Sequence, residues 1–440
     1  MTQLQRKLTL YGLTMIAVGS CIGSGIFLTP SEIAGRLPHH GFILLVWALG
    51  GLIALTGALT LAELGGMYPK SGGVYVYLKA AYGDLAGFLY GWVILLVVNT
   101  GALAALGAGL AKYLTYFLPM SETARVVAAI VVVGGLTAIN MLGIQGSQRF
   151  ANLFTGLKLL AIAGIIIAGI FSGNVDISAM TFAPGSHTPD NLSSALLLAL
   201  IGVLWSAGGW HHASYLSGEA IDAPRTVPRA MMLGALIVTI TYVLTNFAYM
   251  RLLPLEAISA SETVAGEAVE TLLPFGGKLV AAAIAVSIFG TIGIYTMSAP
   301  RIYFAMAQDG VFFKGLARVH PRFKTPANAM MVQAAWAIVL LLFWGTFQNL
   351  ITYVTFMDIA FMGLAGAGVF VLRRKYPQAE RPYRVWAYPI VPAIFVLISA
   401  AFVVNTLVEQ PSQAWAGLGL TAVGVGVFRI FRKIVVSSPS

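Results

Sequence analysis

Two apolar stretches of this sequence carry clusters of glycine and serine at their centres, and these clusters are the residues most able to do chemistry. The first runs from Ala17 to Phe27 and reads AVGSCIGSGIF, and the second runs from Trp205 to Trp210 and reads WSAGGW. Glycine costs a helix about 1 kcal/mol relative to alanine, and main chain that unwinds inside a membrane needs other groups to pair its amides and carbonyls. The two clusters therefore indicate a ligand held by main-chain atoms, with close packing of helices as the alternative for either cluster alone.

A lysine in the middle of an apolar stretch is the other unusual feature. Lys158 lies in the sequence FTGLKLL, well inside the stretch 148–171. A charge at such a depth is costly and is by default a functional hypothesis, whereas a lysine near a helix end can extend its stem to the membrane surface. The position of Lys158 favours a fixed positive charge inside the protein.

The composition shows which elements must hold these residues. Of 440 residues, 58% are hydrophobic and 10% are charged, and the mean hydropathy is +0.85, which leaves too little polar surface for a soluble globule. Stretches of about 20 apolar residues are long enough to cross a hydrocarbon core as helices. We predict twelve segments, at 8–30, 41–66, 84–118, 123–143, 148–171, 192–217, 228–253, 275–308, 327–345, 348–373, 385–406 and 412–432. Because the apolar runs are continuous rather than alternating, the predicted fold is an all-α integral membrane protein and not a β-barrel.

The net charge of +10 reports the orientation of these segments, so no nucleic-acid partner is needed to explain it. With the N-terminus placed inside, most of the 26 Lys and Arg residues lie on one side, including the cluster from Arg373 to Arg384. The opposite side holds the acidic loop from Glu256 to Glu270 and the loop 172–191, which has no Lys or Arg. This positive-inside pattern predicts a multi-pass protein of the cytoplasmic (inner) membrane with both termini in the cytoplasm.

The two glycine clusters stand in the first and sixth segments. Broken helices at matching positions of two halves are the sequence sign of an inverted-repeat transporter whose substrate binds near the membrane midplane. We therefore predict one transmembrane domain, 1–440, with repeats over 8–171 and 192–373 and two further helices over 385–432. No enzyme, metal or cofactor is expected, because no close His, Asp or Glu cluster has metal-ligand or catalytic spacing.

Around these clusters the sequence resembles the L-type amino acid transporter family of the amino acid, polyamine and organocation superfamily, which shares the LeuT-type fold. The similar stretches are Gly23–Phe27, Ala62–Gly65, Pro69–Gly73, Gly209–Trp210, Gly218–Glu219, Pro224–Arg225, Tyr242–Asn246 and Gln308–Gly310. Each stretch is moderately specific, and their order and spacing make the likeness specific over about residues 8 to 375.

The resemblance implies that an α-amino acid binds between the two breaks. Its carboxylate would accept hydrogen bonds from the amides of Ser24 and Gly25, at the positive end of the second half of the first helix. Its ammonium would bind the carbonyls released around Gly19 to Cys21 and around Trp205 and Ser206. The substrate-binding residues expected on this basis are Gly19, Cys21, Ile22, Gly23, Ser24, Gly25, Trp205, Ser206, Ala207 and Gly208.

The resemblance also implies gating and coupling roles for three residues. Trp205 would close over the substrate from outside, and Tyr242 would satisfy unwound main chain near the first break. Lys158 would occupy the place in which sodium-coupled carriers of this fold bind sodium. Packing roles are the alternatives for Trp205 and Tyr242.

These features predict sodium-independent transport, by exchange, of neutral L-amino acids through alternating access, with the amino acid and the lipid bilayer as partners. A proton-coupled symporter of amino acids or amines is the alternative, because His211 and His212 could titrate near neutral pH. Ala207 stands where many relatives carry an aromatic or acidic residue, which argues against cationic substrates. Since Cys21 is the single cysteine, no covalent partner subunit is expected; the oligomeric state and the particular amino acid are not predicted.

Overall fold

The structure, a computed structural model, describes residues 4–37, 39–175, 191–343 and 347–437. Within these ranges the chain is helical, and its β structure is limited to one bridge between Leu8 and Ala220. The α-helices are α1 Leu10–Cys21, α2 Gly25–Arg36, α3 His40–Met67, α4 Val74–Tyr82, α5 Asp84–Val93, α6 Asn99–Leu114, α7 Glu122–Met141, α8 Ile144–Ser172, α9 Leu192–Ala207, α10 His212–Tyr215, α11 Ala223–Leu252, α12 Leu255–Ala260, α13 Val264–Glu270, α14 Gly276–Ser298, α15 Pro300–Gln308, α16 Ala327–Phe343, α17 Phe347–Lys375, α18 Ile390–Glu409 and α19 Pro411–Ser437. A π-helical turn, Ile94–Val98, joins α5 to α6, and 3-10 turns lie at Ser217–Glu219 and Lys314–Ala317.

Length and apolarity identify the helices that cross the membrane. In the part of the chain that the structure describes, nine helical stretches are long and apolar enough to span a bilayer, and the bent pair α1 and α2 forms a tenth. Two shorter apolar helices, α9 and α16, stand at the predicted sixth and ninth segments. The prediction of an all-α membrane protein is confirmed, and each of the twelve predicted segments corresponds to a helix or a pair of helices.

The differences from the predicted segments lie at both helix starts and helix ends; α2, for example, ends at Arg36 rather than at residue 30. Helix α11 begins at Ala223 rather than near residue 228, because Pro224 fits the first turn of a helix, where its missing amide costs nothing. Short helices α4, α12 and α13 lie outside the predicted segments. Most of the predicted loop 172–191 falls at 176–190, outside the described residues. The division into two repeats stays a prediction.

The first segment is held among three long helices. Helix α1 packs against α8, α11 and α14, and α11 runs along α3. Gly234 of α11 permits a close approach, since a Cβ atom there would lie 2.5 Å from the Cβ atom of Ala17 in α1. Small residues let membrane helices approach in this way. The first glycine cluster is therefore surrounded by helices that can supply side chains to its unwound main chain.

Two buried carboxylates fasten the connections between helices. Glu219, in a 3-10 turn, accepts hydrogen bonds from Arg301 of α15 at 2.8 and 2.9 Å, and both side chains are fully buried. Glu63 of α3 pairs with Arg373 at 2.6 Å and with Arg381 at 3.2 Å. Buried charges have to be paired because an isolated one is costly to desolvate. The Glu219 pair ties the chain that follows the second glycine cluster to α15.

Candidate functional site

The first break separates α1 from α2, and the two helix axes bend there by 40°. The amide of Gly23 donates to the carbonyl of Cys21 at 2.9 Å. Within the described ranges, no acceptor pairs with the amides of Ser24 and Gly25 or with the buried hydroxyl of Ser24. These donors lie at the N-terminus of α2, where the helix dipole favours a negative charge. The break thus presents free donors that suit a carboxylate.

Lys158 reaches the same break from α8. Its Nζ atom lies 2.8 Å from the carbonyl oxygen of Gly19, 2.7 Å from that of Ile22 and 2.6 Å from Oγ1 of Thr291. The side chain is buried, and its three acceptors match the three donors of an ammonium group. The hydroxyl of Ser287 lies 3.2 Å from the carbonyl oxygen of Ile22. The unwound carbonyls of α1 are thus paired by a fixed positive charge of the protein itself.

The second break lies between α9 and α10, and it touches the first. Gly209 has a φ of +117°, and a Cβ atom at this position would lie 2.8 Å from both the carbonyl carbon and the carbonyl oxygen of Ser20. Glycine is the residue that tolerates both conditions. The hydroxyl of Ser20 donates to the carbonyl of Gly209 at 2.7 Å. The two glycine clusters, far apart in the sequence, therefore form one site.

Tyr242 of α11 joins the two breaks from a third direction. Its hydroxyl lies 2.9 Å from the carbonyl oxygen of Cys21 and 3.0 Å from that of Ser206. Trp47 packs edge-on against the Tyr242 ring, with the ring centroids 5.6 Å apart. A buried phenol usually finds a hydrogen-bond partner, and here it finds one at the end of each broken helix. Tyr242 thus bridges the end of α1 and the end of α9.

The carbonyl groups at the breaks have different hydrogen-bond partners from those expected from the sequence. The carbonyls around Gly19 to Cys21 and around Trp205 and Ser206 were expected to bind the ammonium. Those of Gly19, Cys21 and Ser206 instead accept hydrogen bonds from Lys158 and Tyr242. Among the described residues, the carbonyls of Ser20, Trp205, Ala207 and Gly208 lie next to the breaks and accept no hydrogen bond. Carbonyl oxygens without a protein partner suit an ammonium group.

A cavity of about 30 Å³ adjoins the second break, which is room for roughly two water molecules. Trp205, Gly208 and Gly209 line it on one side. Polar side chains from other helices complete the lining: Asn99, His211, His212, Tyr295, Thr355 and Asp358. Ala207 lines an adjoining cavity of about 20 Å³, whose wall shares Gly208, His211 and Asp358 with the first. The predicted residues of the second break therefore border two adjoining cavities, and Gly208 lines both.

The two histidines differ in their surroundings. His212 is buried, with Nδ1 2.6 Å from Oγ of Ser298 and its ring 4.2 Å from the ring of Tyr295. His211 is also buried, and its Nε2 atom lies 3.9 Å from Oδ1 of Asp358, too far for a hydrogen bond. Over the residues that the structure describes, no group of three His, Cys, Asp or Glu side chains could hold a metal ion.

Three polar residues of the cavity were missed by the sequence analysis: Asn99, Thr355 and Asp358. Asn99 and Asp358 stand inside the predicted segments 84–118 and 348–373. The signal was present, because the rule that singled out Lys158, a polar or charged side chain inside an apolar span, applies to Asp358 as well. The sequence could not show that the three residues meet beside Trp205.

Comparison with known proteins gives full-length matches. A family model described as amino acid permease matches residues 8–428. The serine/threonine exchanger SteT of Bacillus subtilis (strain 168) is 32% identical over 428 residues, 96% of each chain. The human cystine/glutamate transporter is 30% identical over 98% of this chain and 86% of its own length. The mouse large neutral amino acids transporter small subunit 2 is 32% identical over 97% of this chain and 81% of its own.

Proposed function

This chain belongs to the amino acid permease family, as its resemblance to the L-type amino acid transporters predicted, and we propose that it exchanges neutral L-amino acids across the membrane without sodium. It is a multi-pass membrane transporter of amino acids and not an enzyme. In the proposal the membrane is the cytoplasmic (inner) membrane and both termini lie in the cytoplasm. Predicted segments 1, 2, 6 and 7 tilt against the others, so that the site faces each side in turn. The Bacillus relative is an exchanger, which supports exchange over one-way transport.

The free main-chain groups at the breaks support recognition of the α-amino acid core. The amides of Ser24 and Gly25 take the carboxylate, and the carbonyls of Ser20 and Trp205 take the ammonium. All four groups belong to the main chain, so this half of the site does not discriminate between side chains. Substrate choice is left to the cavity walls.

The position of Lys158 is the observation that carries the proposal of sodium independence. A carrier that needs sodium must leave oxygen ligands free for the ion, since hard cations bind carbonyl and hydroxyl oxygens. Here the carbonyls of Gly19 and Ile22 and the hydroxyl of Thr291 already surround an ammonium at 2.6–2.8 Å. A sodium ion at that place would be repelled by a fixed charge of the same sign.

The small size of the cavity supports a transporter whose site must open before an amino acid can bind. A space of about 30 Å³ holds roughly two water molecules, which is less than an amino acid needs. Trp205 lines this space, and its indole is the part that swings to admit the substrate in the proposed cycle. The Glu219–Arg301 pair follows the second break in the chain. It would keep that end of the break closed while Trp205 moves.

Uptake into proteoliposomes tests the proposal directly. The purified protein is reconstituted in sodium-free buffer, and uptake of radiolabelled alanine, serine, leucine and arginine is measured with and without unlabelled amino acid inside. We expect uptake of neutral amino acids only when the vesicles contain amino acid, and no change when sodium is added. Strict dependence on sodium would refute the proposal.

Proton-coupled symport is the second candidate, and the approach of His211 to Asp358 favours it. Two buried titratable side chains 3.9 Å apart beside the site could carry a proton together with the substrate. The same vesicles decide between the two mechanisms. Uptake into vesicles without internal amino acid, driven by an imposed pH gradient, would establish symport and rule out obligatory exchange.

A further inference from the structure

A larger cavity, of about 740 Å³, lies on the face of the molecule that carries the N-terminus, which is the cytoplasmic face in the proposed topology. Its volume falls within the range of small-molecule sites, roughly 300–1,000 Å³. Four cationic side chains and one carboxylate, that of Asp309, line it; the cations are Arg6, Lys70, Lys79 and Lys375. The cavity is therefore large enough for a small molecule and carries an excess of positive charge.

Three of these cations have no counter-charge in the part of the chain that the structure describes. The Nζ atom of Lys79 lies 2.8 Å from Oδ2 of Asp309, so this pair neutralises itself. Arg6, Lys70 and Lys375 are exposed and form no ion pair with a described residue. Like charges that share a cavity repel one another, and an anion between them replaces that repulsion by attraction. The excess charge points to an anionic ligand.

Phosphate is the anionic group that best suits these side chains. It carries up to two charges and three acceptor oxygens, whereas a carboxylate carries one charge. Arginine binds phosphate through two parallel hydrogen bonds and lysine binds it as a point charge, and Ser71 and Gln308 add neutral donors to the same wall. The positive-inside rule places basic residues on this face, but it does not require several of them to share one cavity.

One wall of the cavity belongs to the part of the chain that contains the two breaks. The amide of Leu8 donates to the carbonyl of Glu219 at 2.9 Å, which ties the segment of Arg6 to the turn that follows the second break. Lys70 follows α3, and the amide of Gly72 in the same loop donates at 3.0 Å to the carbonyl of the last residue of α10. Arg6 and Lys70 are therefore attached to predicted segments 1, 2 and 6, which move in the proposed cycle.

The opposite wall belongs to helices that stay in place in that cycle. Lys79 stands on α4, and its ion pair with Asp309 joins α4 to the end of α15. Lys375 is the last residue of α17, which packs against α4. The free cations thus stand on both sides of the cavity, two on the moving part and one on the stationary part. A phosphate that contacted both sides would join them.

We propose that this cavity binds a phosphate-bearing anion, supplied by a soluble compound or by the headgroup of an anionic lipid, and that the bound phosphate slows transport by holding the cytoplasmic face closed. The slowing rests on the proposed function, since in that cycle the segments of Arg6 and Lys70 separate from Lys375. A ligand that binds one state more tightly shifts the population toward it. Exchange needs both states, so an anion that favours the closed one makes exchange slower.

Calorimetry on the full-length protein in detergent tests binding by itself, with inositol hexakisphosphate as the soluble probe. We expect Lys70→Gln combined with Lys375→Gln to weaken its binding at least about 10-fold, because hydrogen bonds between charged groups are the strong ones. The matched control combines Lys314→Gln with Arg318→Gln. These two residues are exposed and basic, and they lie near the 3-10 turn Lys314–Ala317, outside the lining of the cavity. The control removes the same charge and should leave binding within about 2-fold.

Exchange in proteoliposomes tests the effect on transport and separates the two sources of phosphate. One arm uses vesicles of phosphatidylcholine with or without inositol hexakisphosphate on both sides, and the other compares these vesicles with equimolar phosphatidylcholine and phosphatidic acid. We expect the natural protein to slow at least about 5-fold in one arm. Slowing by the soluble probe assigns a soluble compound, and slowing in the phosphatidic acid vesicles assigns a lipid headgroup. The cavity double variant should exchange normally in phosphatidylcholine alone, which shows that it is folded, and should not slow in either arm.

The outcomes separate this inference from the proposed function. Neither binding nor slowing by either probe in the natural protein would overturn the phosphate site. An equal loss of affinity in the control double variant would also overturn it, because the charge of the whole face would then explain binding. Binding without any slowing would overturn the hold on the movement. Absence of exchange under every condition would overturn the proposed function, while calorimetry would still decide whether the cavity binds phosphate.

Discussion

The Nζ atom of Lys158 lies 2.7 Å from the carbonyl oxygen of Ile22, the residue that caps the C-terminus of α1. Because Ile22 is unwound, its carbonyl has no helical partner, and the ammonium group replaces the hydrogen bond that the helix would have made. The charge and the broken helix are thus mutually dependent. Neither is tolerable alone in a membrane, since an unpaired carbonyl and an unpaired ammonium are both costly there.

Neutralising Lys158 should therefore disable transport. Lys158→Met keeps the length of the side chain but removes three charge-assisted hydrogen bonds, each of which contributes about 1.5–3 kcal/mol. We expect amino acid exchange in proteoliposomes to fall by at least about 100-fold, which corresponds to about 2.7 kcal/mol. Lys112→Met is the control, because Lys112 is exposed and, among the described residues, pairs only with Glu262, at 3.3 Å. Normal exchange by Lys158→Met, with a gel-filtration profile like that of the natural protein, would contradict this prediction.

Removing the hydroxyl of Tyr242 should weaken the connection between the two breaks without leaving a cavity in the core. Tyr242→Phe keeps the ring against Trp47 but leaves the Cys21 and Ser206 carbonyls without this donor, at a cost of about 1–3 kcal/mol. We expect roughly 10-fold slower exchange. In the control, Tyr113→Phe, the hydroxyl that is lost is buried and has no partner within the described residues. Equal effects of the two substitutions would show that the bridge to the breaks is unimportant.

A methyl group at Gly209 should be incompatible with the contact between the breaks. Gly209→Ala places a side chain at a φ of +117° and within 2.8 Å of Ser20, and a backbone strained in this way costs about 1–3 kcal/mol before the clash is counted. We expect a lower melting temperature in detergent and loss of exchange. Gly134→Ala is the matched control, since a Cβ atom there meets nothing within 4 Å. An unchanged melting temperature for Gly209→Ala would contradict the described contact.

The buried ion pair of Glu219 and Arg301 should be far more sensitive to substitution than an exposed one. Glu219→Gln leaves the guanidinium of Arg301, fully buried, without its counter-charge, and breaking a buried pair costs about 3–5 kcal/mol. We expect a large drop in melting temperature. Glu262→Gln disrupts a pair whose side chains are 51% and 84% exposed, and such pairs contribute little. Similar melting temperatures for the two variants would argue that Arg301 is paired in some other way.

The sequence by itself determined the membrane-spanning helices, the two breaks and the position of Lys158 inside a span. These depend on local quantities: the length of an apolar run, the helix cost of clustered glycine, and the energy of a charge inside such a run. That is why segments such as 41–66 and 123–143 match helices α3 and α7 to within about two residues, the usual uncertainty of a helix end.

The tertiary structure alone decided which groups meet. It paired the carbonyls of Gly19 and Cys21 with Lys158 and Tyr242. It also placed Ala207 in the wall of an adjoining cavity and brought Asn99 and Asp358 together beside Trp205. Those contacts join helices far apart in the chain, and their geometry follows from helix packing, which no local pattern of residue types encodes. The physical reason is that these two properties depend on different parts of the chain. The apolar residues of a helix determine by themselves whether it is buried in the membrane. The hydrogen-bond partner of a polar group is instead whichever neighbour the packed helices place within about 3 Å.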